Sequence, residues 1–545
     1  MKNNLKIFFI LFTLIFSFKQ IFPDLITVPE QTKYRKTSSF SEVMKFLYEA
    51  EAQSENIKLC EFCISTEGKK VPMVIISDRA VSSPYQKQIF DIPSILIMAN
   101  IHAGEVEGKE ASLMIIRDFV NGKINEVLKN QIILMIPIFN SDGNDKFGKN
   151  RGDDGPELAG VRHNGQHLDL NRDYIKLESP EVKALLNVFT KWRPLLFIDM
   201  HTTDGSFHRE PVTFATLSNP NSNKNIFNYM WNTLFPSVKK YMKKKFNTDS
   251  IPYGNFIDRK SPRKGWANHA YEVRYGTNYA GLRNIFTILD ENYSHADFKT
   301  RVISAYHFLR STLEFTKDHI GEMDKIRKNA EIDTTLNYYK GNHIISYKTE
   351  KLLDFTIKSY EFKVEKIKPE DKKKYPPWVG DSIVKKTDKN RDYRLPYFGK
   401  AVSKKSVKLP SGYFLLPFHK KIENNLKKHG IIVEKLLHDY SGILENFKLS
   451  KLKYGKYIFQ GHINISASGE YKKNTVTIPA GSLFISMKQP LARLIAEMFE
   501  PEAKDSFLSW GFFNREIIKQ WSRKPGLYPV YRFNGDKKNF ETVIK

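Results

Sequence analysis

The chain has 545 residues, enough for two or three domains with sizeable cores. Its formal charge of +26 invites a nucleic-acid reading. Lys is spread along the whole chain, however, and no compact basic helix or aromatic-interleaved run is present, so nucleic acid is excluded as a partner and a basic surface favouring an anionic cell envelope remains.

Residues 1–20 carry Lys2 and Lys6 and then IFFILFTLIFSF. This positive segment and short apolar core read as a secretory signal peptide, since about a dozen apolar residues do not comfortably span a bilayer. An uncleaved anchor is the alternative. The expected protein is secreted or periplasmic, with no membrane span after removal of the signal.

Residues 34–58 (SEVMKFLYEAEAQ) read as an amphipathic helix, and 58–64 and 71–77 as strands joined by STEGKK. Cys60 and Cys63 lie in the first strand. Positions i and i+3 of a strand point to opposite faces, so these are expected to be ordinary half-buried thiols, with strain opposing a bridge.

Four short apolar runs follow, rich in β-branched residues as buried strands are. IPSILIMAN (92–100) breaks into a turn carrying His102 and Glu105, then continues as the helical pattern EGKEASLMIIRDFV. QIILMIPIFN (131–140) precedes SDG, RPLLFIDM (193–200) precedes His201, and NIFTILD (284–290) precedes Glu291. Parallel strands joined by helices bring such ends to one rim, the carboxyl edge where open α/β sheets bind ligands. His102, Glu105 and His201 would form a catalytic zinc set with an open fourth position, with Glu291 a free carboxylate nearby. With 14 His in the chain, one H-x-x-E alone means little; the convergence of several strand ends gives it weight. Asp199 would share a face with His201, either orienting that ligand or serving as a buried structural Asp. His163, His167 and His208 end no buried strand and read as loop residues.

The Gly-rich loop 141–171 ends in Asn171-Arg172, and a guanidinium fork grips a carboxylate with two parallel hydrogen bonds. A loop of this length inside a compact domain is usually functional. The motifs HAGE (102–105), LDLNRD (168–173), DMH (199–201) and LDENY (289–293), in that order, resemble the zinc metallocarboxypeptidases of the carboxypeptidase A type over roughly residues 35 to 320. The resemblance implies one zinc ion on His102, Glu105 and His201, and Glu291 as general base. It implies Asn171 and Arg172 as holders of the substrate's C-terminal carboxylate. It also implies an Arg for the oxyanion (Arg162, with Arg151 as rival) and a Tyr on a mobile loop folding over the substrate (Tyr275, with Tyr279 as alternative).

After Glu291 a helix is expected over 296–320, then a charged link. Residues 336–545 alternate strand-like runs, a Lys/Pro/Asp-rich loop at 367–395, a strand–helix–strand unit from PSGYFLL, the runs IFQGHINI and TVTIPAGSLFIS, and the helix QPLARLIAEMFEP. This part resembles an extension carried by some bacterial secreted family members. The expected fold is α/β, a mixed, largely parallel sheet flanked by helices, followed by a smaller α+β domain. The expected division is 1–20 signal peptide, 34–322 catalytic domain and 336–545 extension. The expected function is zinc-dependent hydrolysis of C-terminal peptide bonds, with a peptide or protein C-terminus as substrate. A zinc amide hydrolase acting on cell-wall peptides or N-acyl amino acids, and a non-catalytic envelope-binding protein, are the alternatives.

Overall fold

A computed structural model of the protein describes residues 24–79, 81–149, 154–268, 270–375, 379–517 and 527–544. The expected signal peptide and Arg151 lie outside these residues. Helix α1 (Phe40–Gln53) starts where Ser39 and Glu42 cap each other: the Ser39 hydroxyl accepts from the Glu42 amide, and the Ser39 amide donates to Glu42 at 2.8 Å. The elements that follow are β1 (Ile57–Ile64), β2 (Lys70–Ile76), β3 (Ser94–Ala99), α2 (Glu107–Val120), β4 (Ile132–Ile136), α3 (Pro180–Lys191), β5 (Leu196–Thr203), β6 (Val212–Ala215), β7 (Ser250–Pro252), α4 (Gly276–Leu282), β8 (Phe286–Tyr293) and α5 (Phe298–Leu336). The strands form one 8-stranded sheet in the order β1-β2-β4-β3-β5-β8-β6-β7. The central four are parallel, and antiparallel pairings flank them on both sides.

Alternation along the central strands divides their side chains between two cores. Leu96, Met98, Leu134 and Ile136 enter one cluster, and Ile95, Ile97, Ile133 and Met135 the other. Burial on both faces explains why these strands read as continuous apolar runs.

Several sequence expectations are corrected. His201 and Glu291 do not follow their strands but lie inside them, because pairing continues as far as Tyr293 and Thr203. In β1 the register shifts between Glu61 and Cys63, so Cys60 pairs with Met73 and Cys63 with Val71. Met73 and Val71 are two apart, hence the bulge turns both thiols toward one face rather than opposite faces. Both are free, and burial pushes the Cys60 thiol up to about 11 and that of Cys63 up as well. Helix α5 does not stop near 320. It runs through the charged link to Leu336, where Arg327 pairs with Asp324 and Glu331 at helical spacing.

In the C-terminal region β9 (Leu353–Lys366) pairs with β10 (Ser382–Phe398), so the stretch expected as loop at 367–395 is strand from Ser382 onward. Its exposed Lys, Asp and Asn hid the two-residue apolar period. The end of β10 pairs in parallel with Trp266 and Ala267, which joins the two halves of the chain. Then come β11 (Gly412–Leu415), α6 (Lys420–Lys428) and β12 (Glu434–Leu436), the expected strand–helix–strand unit. The long strands β13 (Tyr440–Tyr454) and β14 (Ile465–Ile478) form a hairpin, followed by β15 (Leu483–Ser486), α7 (Ala492–Phe499), β16 (Leu527–Phe533) and β17 (Thr542–Ile544). A 7-stranded sheet results, ordered β14-β13-β16-β11-β15-β12-β17. Its residues share a core with the first sheet: Tyr413, Leu415 and Ile485 belong to the same cluster as Leu96, Met98 and Leu134. The run IFQGHINI forms the tip of the β13–β14 hairpin rather than a strand of its own.

Candidate metal centre and substrate cavity

The turn after β3 is built by its first residue. Asn100 takes the left-handed conformation (φ 64°), and its amide nitrogen donates to the carbonyls of Ala103 (3.1 Å) and Glu105 (3.2 Å). The Glu105 amide donates to the His102 carbonyl at 2.9 Å, so the chain folds back and the i and i+3 side chains converge. Gly108 lets α2 lie directly on the sheet, since a β-carbon there would stand 2.6 Å from that of Met200. The buried first turn of α2 is anchored by Glu107, which accepts from Arg301 Nε at 2.7 Å, and by Lys109, which donates to Asn144 at 2.7 Å. Breaking a buried ion pair such as Glu107–Arg301 costs about 3–5 kcal/mol.

His102, Glu105 and His201 are buried, with one potential ligand atom of each within 4.8 Å of the others; among the described residues this is the one such group. Glu105 lies between the imidazoles, its two oxygens 3.0 Å from His102 Nδ1 and 2.8 Å from His201 Nδ1. Behind each ring stands another carboxylate. His102 Nε2 is 3.0 Å from Asp169 Oδ1, and His201 Nε2 is 3.1 Å from Asp199 Oδ1. Two imidazoles and a carboxylate converging from one side, each imidazole backed by an acceptor, is the donor set and support that zinc takes. Burial opposes charge here, yet the imidazoles of His102 and His201 hold the Glu105 carboxyl well below the usual range. Against the same burial, Asp199 and Glu105 raise His201, while His102, Arg172 and Arg162 pull Asp169 far down. A divalent cation among these groups would take the place of protons they otherwise attract.

The triad opens into a cavity of about 250 Å³, also lined by Arg162, Asn171, Arg172, Tyr275 and Glu291. His102, Glu105, His201, Glu291, Arg162, Asn171, Arg172 and Tyr275 therefore all reach one space. Glu291 is the register partner of His201 on the neighbouring strand. Arg162 Nε donates to Asp169 Oδ2 at 2.9 Å, and its Nη1 lies 3.6 Å from Glu105 Oε1. Arg172 Nη1 donates to the Asn171 carbonyl at 2.8 Å, and its guanidinium lies 4.4 Å over the Tyr275 ring. The Asn171 amide oxygen accepts from Gly276 N at 2.9 Å.

Tyr275 does not sit within a loop, as the resemblance implied, but at the residue directly before α4, and is half-buried. The alternative, Tyr279, is fully buried, with its hydroxyl 2.7 Å from His429 Nδ1, away from the cavity. His208 is buried and stacks on Tyr293 at 3.8 Å, and His163 and His167 are exposed. None of the three lines the cavity.

Sequence reasoning assigned no role to Asp169, although it stands inside LDLNRD; the spacing D-x-N-R, with one residue behind His102 and two facing the cavity, was its signal. Tyr253 was also missed. It lines the cavity, and the charge of Glu291 is the main cause that raises its hydroxyl. Nothing in IPYGNF singles it out.

Residues 43–281 match the zinc carboxypeptidase family. Carboxypeptidase 2 of Trichophyton tonsurans is 22% identical over 491 residues, covering 86% of this chain and 81% of that protein. A metallo-carboxypeptidase from Pseudomonas aeruginosa (14% identity, TM-score 0.39) covers 53% of this chain and 70% of its own. Carboxypeptidase A from Helicoverpa armigera (16% identity, TM-score 0.40) covers 54% of this chain and 75% of its own. The relatives matched over most of the length are fungal, which does not support the bacterial affinity expected for the extension. The amide-hydrolase and envelope-binding alternatives are not favoured by any of these matches. Residues 43–281 thus carry the match to the zinc carboxypeptidase family, and over most of its length the chain is similar to carboxypeptidases.

Proposed function

We propose that the enzyme removes single residues from peptide C-termini, using one zinc ion held by His102, Glu105 and His201. The observation that carries this reading is the convergence of the metal triad, Glu291 and the Asn171–Arg172 pair on one cavity. Zinc, when bound, lowers the pKa of its water and polarises the scissile carbonyl. Glu291 takes a proton from the attacking water and returns it to the leaving amine. Arg162 stabilises the developing oxyanion. Arg172 and Asn171 hold the free carboxylate of the substrate, so the cut falls at the last peptide bond. Tyr275, packed against Arg172, covers the bound residue.

Apart from the exposed Asp204, the part of the lining made by Ala215, Thr216, Ser218, Ala270, Thr277 and Asn278 carries no charged side chain. Several of its polar groups bond inward. The Thr216 hydroxyl donates to Thr287 O (2.6 Å), that of Ser218 to Thr216 O (2.8 Å), and the Asn278 amide to Ala270 O (2.9 Å). This supports an uncharged leaving residue, because a buried ion would find no partner there.

Residues 1–20 serve as an export signal in this reading; no helix among the described residues is long and apolar enough to cross a membrane. The test compares one peptide as free acid and as C-terminal amide, with and without a zinc chelator. Chelator-sensitive hydrolysis confined to the free acid is expected. Equal hydrolysis of the amide would remove the carboxylate clamp from the reading.

A further inference from the structure

We infer that the C-terminal region is a working part of the carboxylate clamp, with Gln460 as a positioning residue for Asp169–Arg172; this rests on the clamp reading above. The tip of the β13–β14 hairpin is a two-residue turn. Phe459 and His462 pair across it, with N–H···O distances of 2.7 and 3.0 Å, and Gln460 and Gly461 both have positive φ (51° and 74°). Gly461 adopts that conformation freely. Gln460 does so at a cost in backbone strain, where a Gly would be relaxed. What the glutamine adds is reach: its side-chain oxygen accepts the Asp169 amide proton at 2.9 Å.

Asp169 supports His102 through its carboxylate and opens the short turn that presents Asn171 and Arg172. Beside it, His462 Nε2 lies 2.7 Å from Glu178 Oε1, a second tie between the tip and this side of the cavity.

The opposite side is tied as well. Arg274, next to Tyr275, donates its amide to Asp505 Oδ2 at 2.9 Å, and its Nε lies 2.8 Å from Asp505 Oδ1. Its guanidinium lies over the rings of Phe459 (5.4 Å) and Trp510 (5.0 Å). Lys504 donates to Glu272 at 2.9 Å. Arg172 and Tyr275, which touch each other across the clamp, are thus each backed by the C-terminal region. Phe459, part of the hairpin tip, lies under the Arg274 guanidinium and beside the Trp510 ring.

The test uses the full chain with Gln460→Gly, which removes the side chain and relaxes the turn, so misfolding is not the expected outcome. Zinc content and thermal midpoint should match or exceed the parent. KM for a free-acid peptide should rise about three- to tenfold, the scale of one lost hydrogen bond, with kcat changed less. Hydrogen exchange of the amides at 169–172 should accelerate. Tyr457→Ala, an exposed change in the same hairpin tip, should move neither quantity. Unchanged exchange at 169–172, or unchanged KM in an active enzyme, overturns the inference. A parent that cleaves nothing overturns the catalytic reading instead, and the exchange comparison still decides whether Gln460 orders this turn.

Discussion

His201 and Glu291 are register partners on the adjacent parallel strands β5 and β8. A proposed metal ligand and the proposed base are therefore held by main-chain pairing rather than by loops. Glu291→Gln should lower kcat by about 10²–10⁴-fold, the range of general-base contributions. Zinc content, measured by metal analysis of the purified protein, should stay at the parental level. His201→Ala should lose the metal. A Glu291→Gln protein that retains parental kcat would remove Glu291 from the chemistry.

The carboxylates behind the imidazoles predict a graded loss of metal. Asp169→Ala and Asp199→Ala should each weaken zinc binding by about 10–100-fold, measured by competition with a chelator. The two differ in a second readout. Asp169 also contacts Arg162, with Arg172 3.9 Å away, so its loss should raise KM, whereas loss of Asp199 should not.

Arg172→Lys keeps the charge but loses the planar fork and the stacking on Tyr275. Hydrogen bonds to a charged group contribute about 1.5–3 kcal/mol. KM for free-acid peptides should accordingly rise by at least about tenfold, with zinc content unchanged. Steady-state kinetics on a single dipeptide series would show it, and an unaltered KM would place the substrate carboxylate elsewhere.

Glu181, buried in the first turn of α3, has its carboxyl pushed up to about 7, chiefly by burial. Its folded pKa lies above the ordinary value of 4.5, so the fold favours the protonated form. The stabilisation from this proton is fully present below about pH 4.5 and is lost as pH rises through about 7. Glu181→Gln should be closest to the parent in stability at pH 5 and gain on it by about 1–3 kcal/mol at pH 8. Denaturant unfolding at both pH values measures this, and an equal difference at both would contradict it.

Much of this site was legible because chemistry and pattern coincide. His102, His201 and Glu291 terminate or continue apolar runs that only buried strands require, and parallel topology then puts them on one rim. Asn171 and Arg172 announced themselves as an anion grip. The misses have physical causes. The bulge at Cys60–Cys63 shifts register by one residue, which no period-two count reveals. The strand at 382–398 is exposed over most of its length, so it lacks an apolar signature. Asp169 works through its position behind His102, and Gln460 through a contact across 291 positions of sequence, and local patterns carry neither relationship.

The most direct measurement is mass spectrometry of a mixed peptide pool incubated with the purified mature protein, with and without a zinc chelator. Stepwise loss of single C-terminal residues, abolished by the chelator and restricted to uncharged side chains, is the predicted result. Internal cleavage, cleavage that survives removal of the metal, or no cleavage of any peptide would contradict the assignment of this cavity as a zinc carboxypeptidase site.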